Sequence, residues 1–181
     1  MRRWLLLGLL LMLGACGSAT SPHPAPPGGL PSDVDLAPIL VDSADLPSDY
    51  VRDAPEAELM ITTRFLPTSD RTLTVEFSHP KGLGGFAVIW VYNERRMDDV
   101  YDLLVQAGVG KDAAGVSGVG EQAAQSTTPL GTQPATFLAF VRCQAVVLIE
   151  GVGSITSDPA TLMTWAQHID KRIQRSAICS A

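Results

Sequence analysis

The sequence has few cysteines, histidines and basic residues, and each shortage excludes a class of function. It contains three Cys and three His, and none of them lies at the spacing of metal ligands, so no metal site is predicted. The 13 basic residues are outnumbered by 19 acidic ones. Because nucleic-acid binding requires clustered Lys and Arg, a nucleic-acid partner is not expected.

No long hydrophobic run occurs either. The longest apolar segment, residues 4–12, has about 10 residues, half of what a permanent membrane-spanning helix needs. A segment of this length after two positive residues, Arg2 and Arg3, is typical of a cleavable export signal.

A catalytic constellation is also missing. Ser117 lies between glycines, but the pattern departs by one position from the nucleophile elbow of hydrolases. His79 and His168 are the two histidines in regular segments, and an envelope hydrolase would require one of them to meet a Ser or Asp in a cleft. We therefore predict no catalytic residues and no enzymatic activity, with a hydrolase as the less favoured class.

The apolar segment ends in Leu13-Gly14-Ala15-Cys16, which resembles the lipobox of bacterial lipoproteins. This resemblance implies cleavage before Cys16 and a covalent diacylglycerol and N-acyl chain, such as palmitate, on that residue. No other cofactor is expected. Several acyl chains hold a protein firmly to a leaflet, because each buried methylene contributes about 0.8 kcal/mol.

The residue after the lipobox bears on localisation. Gly17 is not the Asp that retains many lipoproteins at an inner membrane. The resemblance therefore implies a lipid-anchored, extracytoplasmic protein of the cell membrane in a one-membrane host, or of the outer membrane in a two-membrane host. The membrane is the one partner that it implies directly.

Three regions follow from this interpretation. Residues 1–15 are a signal peptide, and residues 16–34 are the anchor and a flexible tether rich in Pro, Gly and Ser. Residues 35–181 are predicted to form one globular domain. After loss of the signal, 11 basic and 19 acidic residues leave a net charge of −8.

The pattern within 35–181 predicts an α+β fold. Leu73, Val75 and Phe77 alternate with polar residues, as in a half-buried strand, and residues 86–93 are apolar on both faces, as in a central strand. A helix capped by Asn93 and a C-terminal helix starting at Pro159 complete the predicted elements. We predict a two-layer domain, a mainly antiparallel sheet with both helices packed on one face.

Cys143 and Cys179 remain once Cys16 is assigned to the anchor. Two cysteines in an exported chain form a candidate disulfide, which would tie the C-terminus to the sheet. The alternative is a pair of free thiols.

Three further segments resemble exported bacterial lipoproteins and sensor-like extracellular domains: residues 44–50 (ADLPSDY), residues 118–123 (GVGEQA) and the C-terminal helix. The resemblance implies an exported domain without an assigned active site. We therefore expect a non-enzymatic module that binds an envelope protein or senses a small ligand. Its surface would be the glycine-rich loops and the exposed sheet face, marked by Thr72, Thr74, Glu76 and Ser78.

The alternative class is a carrier of a small molecule or lipid, with a pocket between sheet and helices. A cavity lined by Phe86, Val88, Tyr101 and Trp165 would favour it.

Overall fold

A seven-stranded, fully antiparallel sheet forms the centre of the protein in a computed structural model that describes residues 34–40, 45, 49–53, 66–81, 84–93 and 96–180. The predicted lipobox with Cys16 and the predicted tether up to residue 33 lie outside the described residues. The strand order is β1-β2-β3-β7-β6-β5-β4, so the last strand lies between β3 and β6. The strands are β1 Val51–Asp53, β2 Arg71–Ser78, β3 Gly85–Val91, β4 Ala114–Gly115, β5 Gln122–Thr127, β6 Ala135–Arg142 and β7 Ala145–Val152.

Helices lie between and after the strands. α1 spans Ala37–Leu40, and α2 spans Met97–Leu104 and continues into a π-helical turn, Val105–Val109. α3 spans Pro159–Arg175 and is followed by a short 3-10 turn, Ala177–Cys179. The Asp158 side chain caps α3 by accepting a hydrogen bond from the Thr161 amide at 2.9 Å.

The α+β class and the antiparallel sheet are confirmed. Two helices, α1 and α3, share one face of the sheet, where they pack on residues such as Phe77, Ile89 and Phe140. The helix predicted to pack beside α3 is α2. It covers the opposite face of the sheet, over residues such as Val88 and Leu148. The sheet is therefore covered on both faces, and the prediction of one helical layer is corrected.

Burial on both faces follows from the composition of the central strands. The side chains of β3 and β7 are apolar over most of their length, and successive residues point to opposite faces. Each face thus presents an apolar surface that water does not solvate favourably, and each takes a helix.

The hairpin between β6 and β7 carries the disulfide. Its two-residue turn is Cys143-Gln144, and the structure joins Cys143 to Cys179 with a Cα–Cα distance of 5.2 Å. Cys143 has φ +53°, a value uncommon for residues other than glycine. Its backbone N–H donates to Oε1 of Glu121 at 3.0 Å, which holds the turn in this conformation.

Candidate binding groove

A groove lies between a glycine-rich loop and α3. Its volume is about 480 Å³, and it is open to solvent along one side. Main-chain atoms form one wall and polar helix side chains form the other. The lining residues are Gly118, Val119, Gly120, Arg142, Gln167, Asp170, Lys171 and Gln174.

The loop wall, Gly118 to Gly120, requires glycine at its last position. Gly120 has φ +63°, and a Cβ there would lie 2.7 Å from the carbonyl oxygen of Val141. Between the two glycines, the buried side chain of Val119 anchors the loop in the α3-side core. The main chain of the loop is thereby held facing the groove without side chains in front of it.

An ion pair forms the floor of the groove. The Arg142 guanidinium donates from Nε to Oδ1 of Asp170 at 2.6 Å and from Nη2 to Oδ2 at 2.9 Å. Asp170 is 5% exposed, and Gln174 donates to its Oδ2 at 3.0 Å. The hydrogen bond to Asp170 raises the pKa of Arg142. A bidentate pair of this kind fixes the guanidinium rigidly.

The helix wall carries the groups that a ligand would meet. Gln167, Lys171 and Gln174 follow one another at steps of four and three residues, so they lie along one side of α3. Lys171 and Gln174 are exposed, and Gln167 is half-buried. Amide side chains both donate and accept, so this wall suits a ligand with peptide-like groups and an acidic substituent near Lys171.

The polar row predicted as a binding surface lies elsewhere. Thr74 pairs with Val88 and Glu76 pairs with Phe86, so the row occupies the α2 side of the sheet, opposite to the groove. Thr72 is exposed, while Thr74, Glu76 and Ser78 are half-buried. The row and the loop of the groove therefore do not form one surface.

A second, smaller pocket of about 230 Å³ adjoins this row. Thr72 and the buried Trp90 line it together with the segment of residues 66–69. Its walls combine hydroxyl groups with apolar side chains.

His168 does meet an aspartate, as a hydrolase would require. Its Nδ1 lies 2.9 Å from Oδ1 of Asp45, but Oδ2 of the same carboxylate binds Arg172 at 2.6 Å. In the described part of the chain, no serine hydroxyl hydrogen-bonds to His168. The contact thus ties Asp45 to α3 through two side chains one helical turn apart. His79 is buried and accepts from the Lys81 amide at its Nδ1.

The residues named for a carrier cavity are divided by the sheet. Phe86, Val88 and Tyr101 belong to the α2-side core, whereas Trp165 belongs to the α3-side core. All four are 7% exposed or less. They pack against their own layers and do not line a common cavity.

Glu150 is a titratable group in the described part of the chain whose pKa is strongly shifted by its surroundings. It lies on β7 between Phe86 of β3 and Phe137 of β6. Burial raises the pKa of its carboxyl to about 7, because the charged form loses hydration between these rings. The sequence alone does not predict this raised pKa, because the apolar residues before Glu150 do not show which side chains will pack against it.

Replacing Glu150 with Gln is expected to stabilise the protein at neutral and alkaline pH. In the wild type, the unfolded chain releases the Glu150 proton near pH 4.5, while the folded chain keeps it up to about pH 7. The wild type therefore loses stability as pH rises through this window. After allowance for solvent screening, E150Q should gain about 1 to 2 kcal/mol at pH 8.

Urea unfolding of both proteins from pH 4 to pH 8 measures this difference. The two free energies of unfolding should coincide at pH 4, where Glu150 is protonated in both states. A difference that is constant over the whole pH range would contradict the shift and indicate a packing effect.

Two searches of the described residues concern metals and membranes. No group of three or more His, Cys, Asp or Glu is placed to hold a metal ion among them. No helix in the described ranges has the length and apolar character needed to cross a membrane.

Comparison with known proteins gives no relative from which a function could be transferred: no protein family, no curated protein and no solved structure matches this chain. The site must therefore be interpreted from its own geometry.

Proposed function

We propose that this chain is a bacterial lipoprotein, anchored through an acylated Cys16 to the extracytoplasmic face of an envelope membrane, whose domain binds a partner protein without catalysis. The Leu13-Gly14-Ala15-Cys16 motif supports the anchor. The disulfide between Cys143 and Cys179 supports an oxidising compartment.

The groove beside α3 is the observation on which the binding function rests. It combines an open main-chain wall, two amide side chains and an exposed cation over a fixed ion pair. Such a site offers hydrogen bonds and one charge, and its rigidity limits the entropy that binding costs. These are properties of a recognition surface.

Two observations favour a protein partner over a carried small molecule. The groove is open to solvent and mainly polar, whereas carrier sites enclose most of the ligand among apolar side chains. The core residues on both faces of the sheet are closely packed.

The test is site-specific photo-crosslinking in intact host cells. With a photoreactive amino acid in place of Gln167, we expect a discrete adduct with one partner protein. The same photoreactive residue in place of Thr72, which is exposed on the other side of the sheet, serves as the matched control and should give no such adduct. K171E should lower the Gln167 adduct about tenfold, through the reversed charge at the groove.

The same samples test the anchor. The wild-type chain should begin at an acylated Cys16 by mass spectrometry, and C16S should lose its membrane attachment and its adduct. A wild-type chain that retains residues 1–15 would contradict the lipoprotein assignment. Equal adducts from both crosslinking positions would contradict the assignment of the groove.

A further inference from the structure

The edge strand β4 is unusually open to pairing with another chain. Both of its residues, Ala114 and Gly115, are exposed, and the surrounding segment 113–120 (AAGVSGVG) contains neither charge nor proline. Natural sheet edges are commonly protected by short strand length, charged side chains, proline, bulges or a covering element, and β4 has the first of these but neither charge nor proline. The other edge strand, β1, contains Arg52 and Asp53 among its three residues.

The register of β4 fixes which main-chain groups point outward. Val116 donates its N–H to the Ala123 carbonyl at 3.0 Å, and Gly115 pairs with Ala124. In an antiparallel ladder, hydrogen-bonded and non-hydrogen-bonded pairs alternate. Gly115 is therefore the non-hydrogen-bonded member, and its N–H and C=O point away from β5 to the free edge.

Gly115 is also uncrowded above the plane of the sheet. A Cβ on Gly115 would have no neighbour nearer than the Ala123 carbonyl oxygen at 4.0 Å. Ser117, two residues further along, is also exposed. The edge thus offers main-chain donors and acceptors in an exposed segment whose exposed residues Ala114, Gly115 and Ser117 have small side chains or none.

We propose that the free edge of β4, over residues 113–118, binds an extended peptide segment of the partner protein as an additional strand. This inference rests on the proposed function and names the recognition mode. Alternating donors and acceptors at an exposed edge are complementary to another extended main chain. The chain continues from this edge directly into the loop at Gly118, so an acidic residue flanking the added strand would come near Lys171.

A second copy of this chain is the less suitable occupant. The mature chain has a net charge of −8, so two copies repel each other during approach. A partner strand that is flanked by an acidic residue is instead attracted by the positive charge of Lys171 in the groove.

Gly115 provides a matched pair of variants for the test. G115P removes the outward N–H and fills the edge with a ring, while the ladder bonds made by Val116 remain, because proline is tolerated on the outward side of edge strands. G115A keeps the N–H. The probe is a displayed library of random peptides about twelve residues long, long enough for one added strand.

We expect selected peptides to bind the wild type and G115A with similar affinity and to bind G115P about tenfold more weakly. On peptide binding, hydrogen exchange in the wild type should slow at the Gly115 and Ser117 amides. If G115P does not fold, hydrogen exchange in the wild type still tests whether the peptide binds at the β4 edge.

Three results would overturn the inference: peptides that bind G115P as tightly as the wild type, a library without any binder that depends on the edge, or wild-type dimers that G115P abolishes. If the Gln167 adduct nevertheless forms in cells and persists in G115P, the partner-binding function stands and only the strand-addition mode fails.

Discussion

Replacing both Cys143 and Cys179 with serine should lower the free energy of unfolding by about 3 to 4 kcal/mol. The bridge closes a loop between residues that are 36 positions apart. Its loss returns conformational entropy to the unfolded chain. The bridge also holds the only described residue other than glycine that has positive φ, at Cys143, so its loss removes one restraint on the β6–β7 turn.

Thermal unfolding followed by circular dichroism measures the effect. The Tm of the double variant should fall by about 10 °C. A reducing agent should lower the Tm of the wild type by a similar amount and leave the double variant unchanged. If the reducing agent has no effect on the wild type, Cys143 and Cys179 are free thiols.

The disulfide also helps to hold the groove together, because it joins the same two elements as the Arg142–Asp170 ion pair. Cys143 follows Arg142 in the chain, and Cys179 follows the end of α3, the helix that carries Asp170. The bridge and the ion pair thus connect the β6–β7 hairpin to α3 at two neighbouring points. Reduction should therefore loosen the wall of the groove as well as the C-terminus.

The sequence predicted the strands well, because alternation is a local signal. Val75 and Phe77 are buried as expected, and β3 covers most of the predicted central strand over residues 86–93. The C-terminal helix begins at Pro159, also as predicted. These features depend on residues within a few positions of one another.

Which face each helix covers could not be predicted, because the central strands are apolar on both sides. A residue such as Leu148 gives the same hydrophobic signal as Ile149, although the first packs under α2 and the second under α3. The predicted start of α2 is also wrong. The residue that caps it is Arg96, not Asn93, and no side-chain hydrogen bond marks the position.

The glycine-rich loop of the groove belongs to the surface that the sequence predicted, but the floor and the helix wall were missed because their contacts are long-range. Arg142 and Asp170 are 28 residues apart, and nothing local indicates that they meet. A partial signal did exist in the helical spacing of Gln167, Lys171 and Gln174, on the polar side of a helix whose other side is apolar. The short β4 strand gave no hydrophobic alternation, since it contains only Ala114 and Gly115.

Replacing Asp170 with Asn should destabilise the protein by about 2 to 3 kcal/mol, because the largely buried Arg142 guanidinium then keeps only the longer, more exposed contact with Glu121 at 4.0 Å as a counter-charge. The side chain of Arg142 is 21% exposed, so water compensates part of the loss. The substitution keeps the volume of the side chain and therefore isolates the charge. Urea unfolding at neutral pH measures the change.

Three further variants, R142M, R142M/D170N and K171Q, separate the ion pair from other effects. R142M/D170N, which leaves no buried charge, should recover most of the lost stability, and the difference from the single variants gives the coupling energy. K171Q, which removes the adjacent exposed charge, should change the free energy of unfolding by less than about 0.5 kcal/mol. If D170N and K171Q prove equally mild, Arg142 is hydrated in solution, and the fixed floor on which the groove's recognition depends is absent.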